Sequence, residues 1–389
     1  MGDSVLDLYS ITFWAWVCVA VAVVAPLGGP SVRRWAWSAI NLAFLGSFLG
    51  LQVSWVIAAV AVAYFAIKAI GRGWLAPLPF VLAFATILAL FLAHKLPDRA
   101  SAVGLGRLMP VLSLVGFSYV ALRLYDVARV VQDRRRPAPD FWGLINYLLP
   151  FHMLAAGPIQ SYDEFASQPA VPPPLDAEGS LRAFERIAGG LFKKFVIANA
   201  VERLFLTGFR AGGPYVLFEM QWYYIWVYLD FSAYSDIAVG IGRLLGVATP
   251  ENFNRPYLAR NIIDFWDRWH ISLSQFIRRN LFFPIQVALV RATEGGRPLL
   301  AGCVAFLVSF LLCGLWHGIE TRWFLWGAFH ASGLILCNVY KHLLTKRLGR
   351  KGVKAYLENR WIHALAWFVT FQFYGVSLLI IAYPLGRYR

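Results

Sequence analysis

Long uninterrupted apolar runs, rather than an alternation of polar and apolar positions, dominate this chain. The clearest are Ile11–Leu27, Val53–Ala69, Trp74–Ala93, Leu108–Leu124, Val216–Leu229, Pro298–Trp316, Trp323–Val339 and Trp361–Pro384. Several approach the roughly 20 residues that a helix needs to cross hydrocarbon. Weaker runs at Trp37–Leu51, Phe141–Ile159 and Ile187–Phe209 bring the expected total to about nine to eleven spans. The pattern predicts an all-α integral membrane protein, one polytopic domain over residues 1–389, with N-terminal helices in 1–132 and a core in 141–384.

Two segments interrupt the runs. Asp133–Asp140 holds three arginines and two prolines and reads as a loop. Ser167–Ser180 contains Pro169 and Pro172-Pro173-Pro174, which forbid helix continuation. Before the first break few polar residues punctuate the runs, and after it they appear inside them, so the chemistry is expected in the second half. Between Ile262 and Ile285 the pattern changes again. Phe265, Trp266, Trp269, Ile271, Leu273, Phe276 and Ile277 mix with Asp264, Asp267, Arg268, Ser272, Ser274, Arg278 and Arg279. Such a segment is too charged to span lipid, and an amphipathic or re-entrant piece fits it better.

Composition agrees with the runs: 59% of the residues are apolar and 15% charged, where a soluble domain carries about a quarter charged. The net charge of +15 gathers at run ends, in Arg33-Arg34, Arg134–Arg136, Lys193-Lys194 and Arg347 with Arg350-Lys351, as the positive-inside rule describes. Asp3 and Asp7 before the first run, against Arg33 and Arg34 after it, predict an outer N-terminus and a cytoplasmic first loop. The first run lacks a basic n-region, so no cleaved signal peptide is expected. The expected location is the inner, or cytoplasmic, membrane, with lipid as a partner and no nucleic acid. The four cysteines lie inside apolar runs without C-x-x-C spacing and read as small hydrophobes. No H-E-x-x-H or Cys/His cluster argues for a metal, and no phosphate-binding loop argues for nucleotide-driven transport.

Candidate chemistry rests on histidines. His317, in Leu315-Trp316-His317-Gly318, ends an apolar run, where an ionisable side chain is costly and a functional hypothesis is the default. A neutral imidazole can take a proton from an alcohol, and Gly318 would admit a close neighbour. The competing reading is a packing histidine bonded to a neighbouring helix. His270, in Trp269-His270-Ile271-Ser272, lies near charged residues and suits a supporting role equally well. His330 reads as a packing residue. In Asp230-Phe-Ser232-Ala-Tyr234-Ser-Asp236, Asp230 pairs with Tyr234 and Ser232 with Asp236 at i, i+4. An interhelical polar clamp, with Arg243 or a histidine as partner, is the plainer reading of these carboxylates. Gly240-x-Gly242 lacks the strand and third glycine of a dinucleotide site. His152 to Gln160 reads as a helix end followed by a Gly157-Pro158 turn, with plain topology and the mouth of a channel as its two readings.

Taken together, the motifs resemble the membrane-bound O-acyltransferase family, specifically its bacterial branch of alginate O-acetylation and teichoic-acid D-alanylation proteins. The segments that carry the resemblance are Ala156–Ile159 with Tyr162 and Phe165, Gly190–Phe195, Asp230–Asp236, Glu251–Tyr257, Asp264–Ser274 and Leu315–Gly318. The resemblance implies about eleven spans around a central tunnel, with an acyl thioester (acetyl-CoA or an acyl carrier protein) entering from the cytoplasm as co-substrate and no bound cofactor. It makes His317 the base on the acceptor and His270 its second signature position. Asp230, Ser232, Asp236, Asn252 and Asn254 match recurrent polar positions, and Trp316 and Trp269 flank the two histidines. The implied acceptor is a hydroxyl of a cell-envelope glycan, reached directly or through an extracytoplasmic acyltransferase or esterase-like partner.

Acetyl is the first expectation, with D-alanyl transfer to teichoic acid as the alternative. A proton-relaying transporter or flippase and an inert scaffold are the readings from other classes. Two departures bear on the donor: Ile277-Arg-Arg-Asn280-Leu-Phe-Phe-Pro284 lacks the aspartate and glycine pair usual there, and Asp267 replaces a basic or amide residue. The histidine separation of 47 (317 − 270) is closer to the teichoic-acid layout, whereas Ala-Gly-Pro-Ile-Gln is closer to the polysaccharide-acetylating one.

Overall fold

The computed structural model describes residues 10–73, 116–206 and 215–382. The run expected at Trp74–Ala93 and the first part of Leu108–Leu124 lie outside them. The described residues are helical, with one isolated bridge between Phe253 and Trp269. Three helical segments among them are long and apolar enough to cross a membrane: Pro30–Gly71, Pro298–His317 and Arg360–Ala382.

The chain packs as two compact units that share the long helix Val216–Leu245. The first comprises the described residues within Met1–Gly190 together with Tyr234–Pro250. It opens with α1 (Ile11–Val24), α2 (Pro30–Leu49) and α3 (Val53–Gly71). Ser10 caps α1, and Pro30 supplies a fixed φ at the first position of α2. Next come α4 (Phe117–Gln132), α5 (Phe141–Leu148), α6 (Tyr162–Ser167) and α7 (Ala177–Phe192). Asp140 caps α5, and Ser161 with Glu164 forms a reciprocal capping box on α6.

The run Phe141–Ile159 departs from its expectation. Only eight residues of it are α-helical, about 12 Å of rise, before Pro150 and Gly157-Pro158 turn the chain. Its apolarity serves burial inside protein: Leu144, Ile145, Tyr147, Leu148, Phe151 and Leu154 are each at most 1% exposed. Phe13, Phe44 and Phe151 form an aromatic core there. Asn146 Oδ1 accepts from Ser38 and Asn41, and Asn41 Oδ1 accepts the amide of Phe151, so the polar groups that enter this core are bonded. Arg123, with no exposed surface, donates to the carbonyls of Leu148, Met153 and Pro158.

The second unit comprises Leu191–Ala233 and Glu251–Arg389. It begins with π-helical turns at Lys193–Ala198 and Glu202–Leu206 and the first half of α8 (Val216–Leu245). The segment from Ile262 does not form a span, in keeping with its charge. It breaks into α9 (Ile262–Trp266), α10 (Ile271–Ile277), a π-helical turn at Arg278–Phe282 and α11 (Phe283–Ala292). Then follow α12 (Pro298–His317), α13 (Thr321–Glu358), which turns at Gly349, and α14 (Arg360–Ala382).

Helices α12 and α13 approach through glycines. A Cβ on Gly314 would lie 2.3 Å from the carbonyl oxygen of Trp323, and one on Gly327 2.4 Å from that of Phe310. Both obstacles are backbone, so a methyl group can be admitted only by separating the helices. Gly314→Ala is therefore expected to destabilise the protein by about 1–3 kcal/mol. A thermal melt followed by size exclusion in detergent measures this, and an unchanged midpoint would contradict the close approach.

Candidate active site

In the second unit the chemistry gathers around three histidines. His270 stands at the break between α9 and α10 in the left-handed region (φ 43°, ψ 53°), an uncommon conformation for a residue with a Cβ and one that concentrates at functional sites. It is 4% exposed. What holds it is Asn252, itself 1% exposed. The Oδ1 of Asn252 accepts from the amide of Ser272 (3.2 Å), from its hydroxyl (2.6 Å) and from His270 Nδ1 (3.2 Å). A backbone N–H only donates, so the amide oxygen must face it. It follows that His270 Nδ1 carries the proton and Nε2 the lone pair. Ile271 N donates to the carbonyl of Asn252 (2.9 Å), closing the clasp. Phe231 meets the imidazole edge-on at 4.8 Å.

His270 lies outside the membrane-spanning segments. Burial first, and then the neighbouring His317, lowers its pKa to about 3. It is therefore a neutral hydrogen-bonding group across the physiological range.

His317 is the last residue of α12 and is half-buried. Indole rings surround it: Trp323 stacks on it at 5.0 Å, Trp316 lies at 4.6 Å and Trp326 meets it edge-on at 5.3 Å. The close neighbour that Gly318 admits is Trp323, whose ring atoms would lie 2.2 Å from a Cβ there. Trp326 also packs on His330 at 4.5 Å, so one ring separates the two histidines. His330 is fully buried on α13, and its Nδ1 accepts from the indole N–H of Trp266 (3.3 Å). An indole nitrogen only donates, so His330 is the neutral tautomer with its proton on Nε2.

The other expected residues fall into separate sets. Asp230 pairs with Lys194 at 2.5 Å, and Ser232 accepts from Lys193 at 3.1 Å. Asp236, which belongs to the first unit, pairs with Arg186 at 2.6 Å. Where Arg243 or a histidine was expected, lysine and arginine on the preceding helical stretch supply the charge. Asn254 is exposed, its amide bonded to the carbonyl of Arg268. Trp269 is buried among Phe265, Phe253 and Tyr374. Trp316 stays with His317. Sequence reading passed over Ser272, Trp266, Trp323 and Trp326. The first lay within the signature quoted for His270, whereas the tryptophans carried no local sign that three of them would wall histidines. Lys193 and Lys194 were visible as a basic cluster at a run end and within the Gly190–Phe195 segment, without a sign of their partners.

In the first unit, His152 Nε2 bonds the Thr249 hydroxyl at 3.1 Å, and Tyr234 donates to the carbonyl of His152 at 3.4 Å. Gly240 there serves packing: a Cβ would fall 2.5 Å from Ile187. No group of three or more potential metal ligands exists among the described residues.

Helices of membrane length and apolarity point to an integral membrane protein, with buried histidines beside a half-buried one as its candidate site. Residues 59–370 match the model of the membrane-bound O-acyltransferase family. The chain belongs to that family and is an O-acyltransferase. It is similar to the teichoic acid D-alanyltransferase of Streptococcus thermophilus, 27% identical over 285 residues covering 70% of this chain and 69% of that one. Against the peptidoglycan O-acetyltransferase of Helicobacter pylori it is 32% identical over 259 residues, 62% of this chain and 45% of the relative. Against the probable alginate O-acetylase AlgI of Pseudomonas syringae pv. tomato the identity is 30% over 232 residues, 58% and 43% respectively. The match therefore spans under half the length of those two acetylating relatives.

The clasp yields a prediction. In the unfolded chain the His270 imidazole titrates near 6.5 and in the folded chain near 3, so between these values the unfolded state binds the extra proton and stability falls as pH drops. Melting midpoints should decline from pH 6.5 downward, and His270→Asn should flatten that decline. An identical slope in both proteins would contradict a neutral, buried His270. Asn252→Ala strands two donors on Ser272 and should cost about 1–3 kcal/mol, read from the same melts.

Proposed function

We propose that this chain moves an acyl group, acetyl in the first instance, from a cytoplasmic thioester to a hydroxyl of a cell-envelope polysaccharide or of a partner protein, with His317 as general base. The observation that carries the reading is the contrast among the three histidines. His270 and His330 are buried and locked as neutral hydrogen-bonding groups, while His317 alone is partly exposed at the end of a membrane-length helix. A base must reach its proton directly or through one water, and only His317 has that access.

In the reaction, the acceptor oxygen attacks the thioester carbonyl as His317 takes its proton. The tetrahedral adduct then expels the thiolate, the C–S bond breaks, and the proton on His317 passes to sulfur. Nothing becomes attached to the protein, so positioning and one base are sufficient. Tryptophan walls around His317 keep water from competing with the acceptor. His270, whose Nδ1 is engaged by Asn252, is assigned a positioning role.

D-alanyl transfer is the second reading. The D-alanylating relative from S. thermophilus aligns over 69% of its own length, against 45% or less for the two acetylating ones. Membranes that contain the protein, supplied in turn with labelled acetyl-CoA and with a D-alanyl-loaded carrier, separate the two donors. With the donor that works, His317→Ala should lower transfer by about 10²–10⁴-fold while insertion and melting stay normal. Full activity in that variant would overturn the base assignment. His270→Ala should also reduce transfer strongly, and a mild effect would leave it a structural residue only.

A further inference from the structure

A cavity of about 460 Å³ in the first unit opens between the start of α2, the Pro137–Asp140 turn, the Phe165–Ala170 segment and Gly246-Val247. Two guanidinium groups and one carboxylate line it: Arg33, Arg34 and Asp140. The carboxylate is already committed, since Asp140 pairs with Arg34 through one oxygen and caps α5 through the other, accepting from Gly143 N at 2.7 Å.

Arg33 is different. It is 6% exposed, and its hydrogen bonds go to the carbonyls of Val24 (2.5 Å) and Leu245. No carboxylate among the described residues pairs with it. A guanidinium has five N–H donors, and these two bonds use two of them at a residue that lines the cavity. A buried cation without a counter-charge is costly. Arg123, also buried, meets three carbonyls.

Further donors stand beside Arg33. Gln168 lines the cavity with a buried Nε2 that has no partner among the described residues. The N-terminus of α2 at Pro30 also lines it, and no side chain caps that end. An uncapped N-terminus of a 20-residue helix favours an anion.

The same turn of α2 points Val32 and Trp35 outward, 54% and 56% exposed, and the apolar segment Pro30–Gly71 begins here. The cavity thus sits where an apolar span gives way to basic sequence, the depth at which lipid headgroups lie. We infer that this cavity is a binding site for the phosphate of an anionic phospholipid, held by Arg33 and assisted by Arg34, Gln168 and the start of α2.

The test is native mass spectrometry of the purified full-length protein in detergent, titrated separately with phosphatidylglycerol, phosphatidylcholine and inorganic phosphate. Phosphatidylglycerol should be retained in preference to phosphatidylcholine. Arg33→Gln should weaken that retention at least about tenfold, as loss of one charge-assisted contact implies. Because Arg33 also ties α2 to two carbonyls, Ala170→Glu serves as the second variant: it places a carboxylate at the exposed rim, leaves Arg33 in place and should weaken retention similarly. Unchanged retention in both variants would overturn the site. Inorganic phosphate binding as tightly as phosphatidylglycerol would overturn the lipid assignment in favour of a soluble phosphate. Acyl-transfer activity does not enter any of these readouts, so the result stands apart from the functional proposal.

Discussion

One amide oxygen organises the candidate site. Asn252 Oδ1 accepts three hydrogen bonds, two from Ser272 and one from His270, and the chain cannot straighten between α9 and α10 without breaking them. The left-handed conformation of His270 is the geometric consequence. A strained residue persists only where its surroundings over-determine it, and here the surroundings are a buried acceptor, the Ile271–Asn252 backbone bond and the ring of Phe231. The same bonds select the imidazole tautomer, so one constraint settles both where the ring is and which nitrogen can accept.

The low dielectric that makes such bonds strong makes unpaired charge expensive, and the chain answers it in several ways. Asp230 and Asp236 receive Lys194 and Arg186. Arg123 collects three carbonyls from the turn that ends α5 and from Pro158. Histidines take the remaining route and stay uncharged. His330 does so by accepting from Trp266, and His270 by donating to Asn252. Each of these side chains thus enters an apolar interior with at least one partner that bears on its protonation.

How much of this was legible in sequence follows from what is local. The span ending at His317, the loop Asp133–Asp140 and the refusal of Ile262–Ile285 to span could all be read from charge and length alone. Phe141–Ile159 misled because a run apolar enough for lipid is equally suited to burial in protein, and only Pro150 and Pro158 hinted at the difference. The two lysines at 193 and 194 looked like a topology signal because their partners, Asp230 and Ser232, lie more than thirty residues away. The π-helical turns that carry Lys193 and Arg278 have no sequence signature, since they arise from how a turn is accommodated against its neighbours. Motif resemblance found the histidines because their short flanking patterns are themselves the local structure.

The tryptophans explain why the histidines are unequal. Trp326 packs against both His317 and His330, and Trp323 stacks on His317, so indole rings wall the half-buried imidazole. Indole rings give bulk and a polarisable face without competing for the proton, whereas a carboxylate in the same place would fix the imidazole as a cation. Close approach of α12 and α13 through Gly314 and Gly327 is what brings these rings to His317. The glycine contacts and the indole walls around His317 therefore form one dependency: widen the helix pair, and the candidate site loses its aromatic wall before it loses any side chain.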